Sequence, residues 1–319
     1  MKAEVEQKMV PTIPRSRKYA PWIRQVITNY DLYLLLLPGL VFLLLFKYTP
    51  MYGLIIAFKD FNIFKGIMGS PWVGMQHFNK LFNSSDFYMV LRNTLIISFY
   101  KIVILFPIPI IIALLLNEVR RAFFKRFVQT VIYLPHFLSW VVIAGLFVNI
   151  LSPSSGLVNQ LIEYMGGQPI RFLLDNDWFR TVLVATAGWK DAGWNAIIFL
   201  AAIAGVDQEQ YEAAKMDGAG RIQQMISITL PGIATTIFLM LILRLGSVLE
   251  AGTEQILLLY NASVYETGDV LGTYIYRMGL GNMDYSFSTA VGLFNSVVGF
   301  VLILLGNYCS KKFTEKSVW

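Results

Sequence analysis

The sequence predicts an all-α integral membrane protein with six transmembrane helices and both termini in the cytoplasm. The chain of 319 residues is 56% hydrophobic, and only 14% of its residues are charged. A soluble domain of this size has about 25% charged residues. Hydrophobic stretches of about 20 residues, the length needed to cross the hydrocarbon core of a bilayer, recur along the chain. Polar, basic or proline-containing segments separate these stretches.

Six hydrophobic stretches divide the chain into spans and loops. Residues 1–31 are predicted to form a basic cytoplasmic tail with an interfacial helix at 22–30. Residues 32–310 form the transmembrane domain, and residues 311–319 form a second cytoplasmic tail. We assign the spans to residues 32–50, 91–116, 127–151, 179–206, 232–251 and 287–308.

The distribution of Lys and Arg predicts the orientation. Fifteen of the 26 basic residues lie in the two tails, in the loop between spans two and three, and in the polar stretch at 207–231. Six lie in or beside the connections 51–89, 152–177 and 252–285. The positive-inside rule therefore assigns the first group to the cytoplasm and the second to the outside. Because the basic residues follow the spans, the net charge of +6 does not indicate nucleic-acid binding.

Motifs for catalysis and metal binding do not occur in the sequence. It contains no G-x-x-x-x-G-K-[ST], H-E-x-x-H or G-x-S-x-G pattern. Cys309 is the only cysteine, and His77 and His136 are the only histidines. We therefore expect no catalytic residues, no metal site and no cofactor in this chain. An integral-membrane enzyme such as a glycosyltransferase would need clustered carboxylates, whereas the external acids are scattered at Asp175, Asp177, Asp269 and Asp284.

A polar stretch between spans four and five, residues 207–231, has a defined pattern. Glu212-Ala213-Ala214 is followed by Gly218, Ile228 and Leu230-Pro231. We predict a helix at 209–217, a turn at the glycines and a second helix at 221–229, because Gly readily adopts the backbone conformations of tight turns. Two alanines allow a partner to approach closely. The pattern predicts a docking surface.

The spacing of these seven positions resembles the EAA loop of the membrane subunits of ABC importers. The resemblance implies a type I importer permease fold in a bacterial cytoplasmic (inner) membrane. It also implies a second related permease subunit, an external or periplasmic solute-binding protein, and two separate ATPase subunits that bind ATP and Mg. The family's coupling helix, which docks on the ATPase, would contain Glu212, Ala213, Ala214, Asp217 and Gly218.

Other segments resemble the carbohydrate-importer permeases. They include WVGMQHFNKLF from Trp72, LRNTL from Leu91 and WKDAGWNAIIFLAAI from Trp189. The stretch from Glu254 to Leu280 and the stretch at 285–298 resemble the branch that handles oligosaccharides and polysaccharide fragments, such as alginate oligomers. Thr253 replaces the Phe usual in this branch. An importer permease for peptides or amino acids remains an alternative, because the EAA loop alone does not define the solute.

Charged residues inside the predicted spans indicate a polar interior. Charges at membrane depth normally face a bundle interior or a cavity, and Lys101, Lys190 and Arg244 outnumber Asp191. This excess favours an anionic substrate such as a uronate oligosaccharide, unless a second subunit supplies carboxylates. Ion pairing and helix packing are the alternatives to a substrate pathway. Our candidate pathway residues, aromatic for sugar stacking or polar for bonding hydroxyls, are Trp189, Lys190, Trp194, Asn195, Arg244 and Asn295.

Overall fold

A computed structural model describes residues 28–314 of the chain, with side chains described as far as Tyr308. All regular elements in this range are helical, and an isolated bridge joins Lys59 to Trp72. The predicted all-α class is therefore confirmed. Most of the predicted basic tail with its interfacial helix lies outside the described residues, as do residues 315–319 and the side chain of Cys309.

The chain divides into two compact units, Met1–Leu54 and Ile55–Trp319. Most of the first long helix, α1 (Tyr30–Phe58), belongs to the first unit. Short helical turns connect several helices of the second unit, at Gly66–Gly69, Val248–Glu250, Ala262–Val264, Tyr265–Gly268 and Arg277–Gly281. The helices of that unit are α2 (Gln76–Phe82), α3 (Ser85–Glu118), α4 (Ala122–Phe137), α5 (Trp140–Ile150), α6 (Leu157–Tyr164), α7 (Asn176–Ala204), α8 (Gln208–Met216), α9 (Arg221–Gly232), α10 (Ala234–Gly246), α11 (Thr253–Leu259), α12 (Leu271–Tyr276) and α13 (Tyr285–Thr314).

Several helices have the length and apolarity of membrane spans. Within residues 28–314, α1, α3 and the part of α13 at Tyr285–Tyr308 qualify alone, and two bent pairs, α4 with α5 and α9 with α10, raise the number to five. Helix α7 has 29 residues, which is about 44 Å at 1.5 Å per residue, but it carries Arg180, Lys190 and Asp191. Six spans remain the prediction, and α7 corresponds to the fourth of them, at 179–206.

The third predicted span is not a straight helix. Helices α4 and α5 meet at 102°. Leu138 and Ser139 between them have extended backbone, and the Ser139 hydroxyl accepts a bond from the Val142 amide at 3.3 Å, which caps α5. Pro135 lacks an amide proton, so the helical hydrogen-bond ladder is already weakened before the bend. The bend leaves backbone carbonyls without helical partners.

Helix α7 is the central packing element of the second unit, because it lies against α3, α4, α10 and α11. Small residues allow these neighbours to come close. A Cβ on Gly193 would lie 2.1 Å from the carbonyl oxygen of Ile132 in α4, and a Cβ on Gly188 would lie 2.8 Å from the Leu105 side chain in α3. Close helix approach at small residues is a usual feature of membrane bundles. It brings the polar residues of α7 against α3 and α4.

Candidate functional site

The polar stretch folds into a helical hairpin made of α8 and the first half of α9. Asp207 caps α8, since its Oδ1 accepts a hydrogen bond of 3.0 Å from the Glu209 amide. At the other end, the Ala219 amide bonds to the Ala214 carbonyl at 2.8 Å and the Gly218 amide to the Lys215 carbonyl at 3.1 Å. This bond pair and a φ of +81° at Gly218 are a Schellman motif, in which the left-handed residue is usually Gly.

The base of the hairpin is fixed to the helical bundle. The Tyr211 hydroxyl and the Thr229 hydroxyl are 2.8 Å apart, and Thr229 is buried. Tyr211 and Ile228 also pack against a buried apolar cluster that contains Phe199 and Val206. Packing at the base therefore connects the hairpin to α7, which precedes it, and to α10, which follows it.

The tip of the hairpin is exposed. Glu212, Ala213, Asp217 and Gly218 are exposed, and Ala214 is half-buried. The apolar side chains of Met216 and Ile222 beside them are 88% and 72% exposed. Four of the five predicted coupling residues are thus exposed, on a hairpin whose first helix is capped at both ends. Exposed apolar side chains grouped in this way are typical of interaction sites.

A polar cleft lies between α3, α7 and α10. Its main part has a volume of about 240 Å³ and is lined by Lys101, Asp191, Asn195, Arg244 and Ser247, among apolar residues. A second part of about 150 Å³ shares four of these five residues and extends towards Glu250 and Gln255. Three helices that are distant in sequence therefore contribute polar residues to two adjoining spaces.

Two of the three basic residues near the middle of the predicted spans are bound by neutral oxygen atoms. The Lys101 ammonium donates to the Ala251 carbonyl at 2.8 Å and to Gln255 Oε1 at 2.6 Å. The Lys190 ammonium donates to the carbonyls of His136 and Leu138. Both side chains are buried, and neither forms an ion pair with a carboxylate among residues 28–308.

The carboxylate of Asp191 contacts a histidine rather than a basic residue of the spans. Its Oδ1 is 3.0 Å from Nδ1 of His136, whose ring stacks on Trp194 with 4.5 Å between ring centroids. Arg244 is exposed and forms no ion pair within the described part of the chain. None of the basic residues Lys101, Lys190 and Arg244 thus forms an ion pair with a carboxylate of these residues.

The structure brings only two of the six predicted pathway residues together. Asn195 and Arg244 line the cleft. Lys190 points into the bend between α4 and α5, where it also lies 5.5 Å from the ring of Trp140. The ring of Trp194 stacks on His136, and the ring of Trp189 packs edge-on against Phe147 with 5.6 Å between the ring centroids.

Asn295 lies on α13, and its buried Oδ1 has no hydrogen-bond partner among the described residues. Ser247 and Gln255 of the cleft were not predicted from the sequence. The only signal for them was position: both lie in the region where the fifth predicted span leaves the membrane.

The segment between α10 and α13 is held by a buried ion pair. Asp269 is fully buried and accepts bonds from Arg277 Nη2 at 2.6 Å and from Thr273 Oγ1 at 2.7 Å. Burial alone would lower the pKa of Arg277, but the hydrogen bond and charge of Asp269 raise it above its ordinary value. The guanidinium also lies 4.9 Å from the ring of Tyr265. This segment is therefore a packed structure rather than a loose loop.

Comparison with known protein families gives a match over more than half of the chain. Residues 105–315 match the family described as binding-protein-dependent transport system inner membrane component. Two relatives from Bacillus subtilis (strain 168) match nearly full length. The polygalacturonan/rhamnogalacturonan transport system permease protein YteP is 50% identical over 92% of each chain. Protein LplB is 47% identical over 97% of this chain and 99% of its own.

Two solved structures are also similar. One is a bacterial ABC transporter involved in the import of the acidic polysaccharide alginate; its matching chain has 42% sequence identity and a TM-score of 0.86, with 92% of this chain and 100% of that chain covered. The other is a bacterial alginate ABC transporter in complex with an alginate pentasaccharide-bound periplasmic protein, with 42% identity, a TM-score of 0.85 and coverage of 92% and 99%.

Proposed function

Because the chain belongs to the family of inner membrane components of binding-protein-dependent transport systems, we propose that it is half of the translocation pathway of an ABC importer for acidic oligosaccharides. The chain is a transport subunit rather than an enzyme. Its partners are a second permease subunit, two ATPase subunits that bind ATP and Mg, and an external solute-binding protein that delivers the oligosaccharide. The complex lies in a bacterial cytoplasmic membrane with both termini of this chain inside.

The charge of the membrane interior carries the proposal for an acidic substrate. Near the middle of the spans the basic residues Lys101, Lys190 and Arg244 outnumber Asp191, and none of the three forms an ion pair within the described residues. An interior of this sign attracts an anionic solute and is costly without one, since charges at membrane depth need compensation. The names of YteP and of the two similar structures, which refer to polygalacturonan and alginate, support the same class of substrate.

The hairpin of α8 and α9 supports a role in coupling. Glu212, Ala213, Asp217 and Gly218 are exposed on it, Ala214 is half-buried, and the apolar side chains of Met216 and Ile222 are exposed beside them. Its base is bonded and packed to the bundle through Tyr211. When two ATPase subunits close on ATP, two such hairpins move together and turn the helices from inward-open to outward-open. This is rigid-body alternating access.

The experiment is ATP hydrolysis and solute uptake by the complete transporter in liposomes. The solute-binding protein is added without sugar, with neutral oligosaccharides, or with galacturonate or alginate oligosaccharides. We expect hydrolysis and uptake to rise with the acidic oligomers only. Equal stimulation by neutral oligomers would retain the importer but contradict the acidic substrate class. A response to peptides and not to any sugar would favour a permease for another solute.

A further inference from the structure

The cations of the membrane interior differ in their freedom to bind a ligand. Lys101 is 5% exposed, and its side-chain nitrogen donates hydrogen bonds to the Ala251 carbonyl and to Gln255 Oε1. Two of the three donors of a lysine are thus already engaged. Lys101 is also tightly enclosed, because a Cβ on Gly252 would lie 2.5 Å from its Nζ. Lys190 is bound to two carbonyls in the bend between α4 and α5. Neither lysine is therefore free to reorganise around a substrate.

Arg244 is in a different position. It lines both parts of the cleft, is exposed, and has no ion pair with any described residue. Two acids line the cleft with it: Asp191 of α7 is bonded to His136, and Glu250 lines the second part, but Arg244 forms an ion pair with neither. The guanidinium therefore keeps its donors for a ligand. Guanidinium groups bind carboxylates through two parallel hydrogen bonds, a geometry that an ammonium group cannot provide.

The size and lining of the cleft suit one ring of a longer chain. Its main part, about 240 Å³, is below the roughly 300–1,000 Å³ of pockets for drug-sized ligands. Asn195 on α7 lines the same space as Arg244 on α10, and its amide can donate to and accept from sugar hydroxyls. Charge recognition and hydroxyl recognition are thus available in one place.

We propose that Arg244 is the carboxylate-binding residue of the pathway: its guanidinium receives the carboxylate of one uronate ring while Asn195 bonds a hydroxyl of that ring. This rests on the proposed function and adds the residue that discriminates acidic from neutral sugars. Lys101 and Lys190 hold the helices together through their hydrogen bonds. Arg244 is a specificity-determining residue, not a part of the coupling machinery.

The test compares two substrates that differ only in the carboxylate, trigalacturonate and its methyl ester. Esterification removes the charge and keeps the ring hydroxyls. Uptake is measured in liposomes with the complete transporter, and the ratio of acid to ester is compared between variants. The same solute-binding protein is present with every variant. Its own preference for acid or ester therefore affects all variants equally and cancels when their acid-to-ester ratios are compared. The variants are Arg244→Gln, Arg244→Lys and a control, Arg126→Gln, an exposed arginine on α4 outside the cleft.

We expect Arg244→Gln to lower the acid-to-ester ratio about tenfold or more, the effect of losing hydrogen bonds to a charged group. Arg244→Lys should restore part of the ratio, because it returns the charge without the paired bonds. The control Arg126→Gln should keep both the wild-type ratio and the wild-type rate of ATP hydrolysis without solute.

Two results would overturn the inference alone: an unchanged ratio in Arg244→Gln, or an equal loss of uptake for acid and ester. The second result would assign Arg244 a structural role. If the wild-type transporter takes up neither compound, nor alginate oligomers, the proposed function itself fails and the inference fails with it. Failure of the inference appears in the variants, whereas failure of the proposed function appears in the wild type.

Discussion

The ammonium of Lys101 donates a 2.8 Å hydrogen bond to the carbonyl of Ala251, which lies 150 residues later in the chain. The bond exists because Ala251 and Gly252 both have left-handed backbone, with φ of 49° and 83°. Two such residues in a row end the helical geometry after α10 and turn a carbonyl towards α3. Gln255 then bridges Lys101 to α7, since its Nε2 donates to the Leu183 carbonyl and to Thr186. One lysine thus joins three helices.

Replacing Lys101 should therefore destabilise the transporter. Lys101→Met leaves the Ala251 carbonyl and Gln255 Oε1 buried without a donor, which costs about 1–3 kcal/mol. We expect a lower Tm of the solubilised complex. In a double-mutant cycle with Gln255→Leu, the two effects should be less than additive because both act on one network. Lys65→Met, at an exposed position, is the control. Equal Tm values for Lys101→Met and Lys65→Met would contradict the role of this network.

Gly218 should be sensitive to substitution through its backbone. A Cβ there would meet no atom within 4 Å, but φ is +81°, and a left-handed non-glycine residue costs about 1–2 kcal/mol. Gly220 offers a matched control, since it is equally open and has a φ of −71°. We expect Gly218→Ala to weaken the link between ATP hydrolysis and transport, and Gly218→Leu to abolish it while membrane insertion is retained. Gly220→Ala should be near normal.

The measurement for both glycines is the number of solute molecules transported per ATP hydrolysed. A lower value at Gly218 than at Gly220 supports the hairpin as the coupling element. Normal sugar-dependent transport by Gly218→Leu would count strongly against it.

The base of the hairpin should matter as much as its tip. Tyr211→Phe removes the bond to Thr229 but keeps the ring in the apolar cluster, so the loss should be about 0.5–1.5 kcal/mol. We expect faster amide hydrogen exchange in α8 and fewer solute molecules per ATP. Thr229→Val should give the same effect, and the double variant should be no worse than either single one. Fully additive effects of Tyr211→Phe and Thr229→Val would show that the two hydroxyls act separately.

The sequence predicted features that depend on neighbouring residues and missed those that depend on distant ones. The α8 and α9 hairpin was predicted within one residue at the start and end of its first helix, 209–217 against Gln208–Met216. Its signal is local, because Gly218 ends the helix by its own backbone freedom. The second helix was predicted to stop at 229 but continues to Gly232. Pro231 lies at the start of the helical turn Leu230–Gly232, a position where its missing amide proton costs little.

The partners of the buried lysines could not be predicted. The carbonyls that bind Lys190 are free only because the chain bends by 102° after α4, and the hydrophobic pattern of 127–151 indicates a single continuous span. Nor does the sequence separate Lys190 from Arg244, since both are cations within predicted spans. Lys190 is hydrogen-bonded to backbone carbonyls that the bend after α4 brings to it, whereas Arg244 forms no ion pair within the described residues. This difference arises from the backbone geometry of other parts of the fold.

The Asp269–Arg277 ion pair and the Lys80–Asp284 ion pair should differ widely in their contribution to stability. Asp269 is fully buried and Arg277 is 25% exposed at its side chain, whereas Lys80 and Asp284 are 60% and 32% exposed. Asp269→Asn leaves the mostly buried Arg277 charge unpaired, and the cost for a fully buried pair, about 3–5 kcal/mol, is the upper limit of the loss. Asp284→Asn breaks an exposed pair worth at most about 1 kcal/mol, and its amide oxygen can still accept the bond from the Phe287 amide.

We therefore expect a much larger fall in the Tm of the complex for Asp269→Asn than for Asp284→Asn. The Asp269 pair holds α12 and the turn beside Tyr265 together, in the connection 252–285 that we predict to lie outside. Because we expect the solute-binding protein to dock on the external connections, Asp269→Asn should also weaken the response of ATP hydrolysis to that protein. Raising the salt concentration should reduce only the difference between wild type and Asp284→Asn, since exposed charges are screened and buried ones are not. Similar Tm values for the two variants would mean that water reaches Asp269.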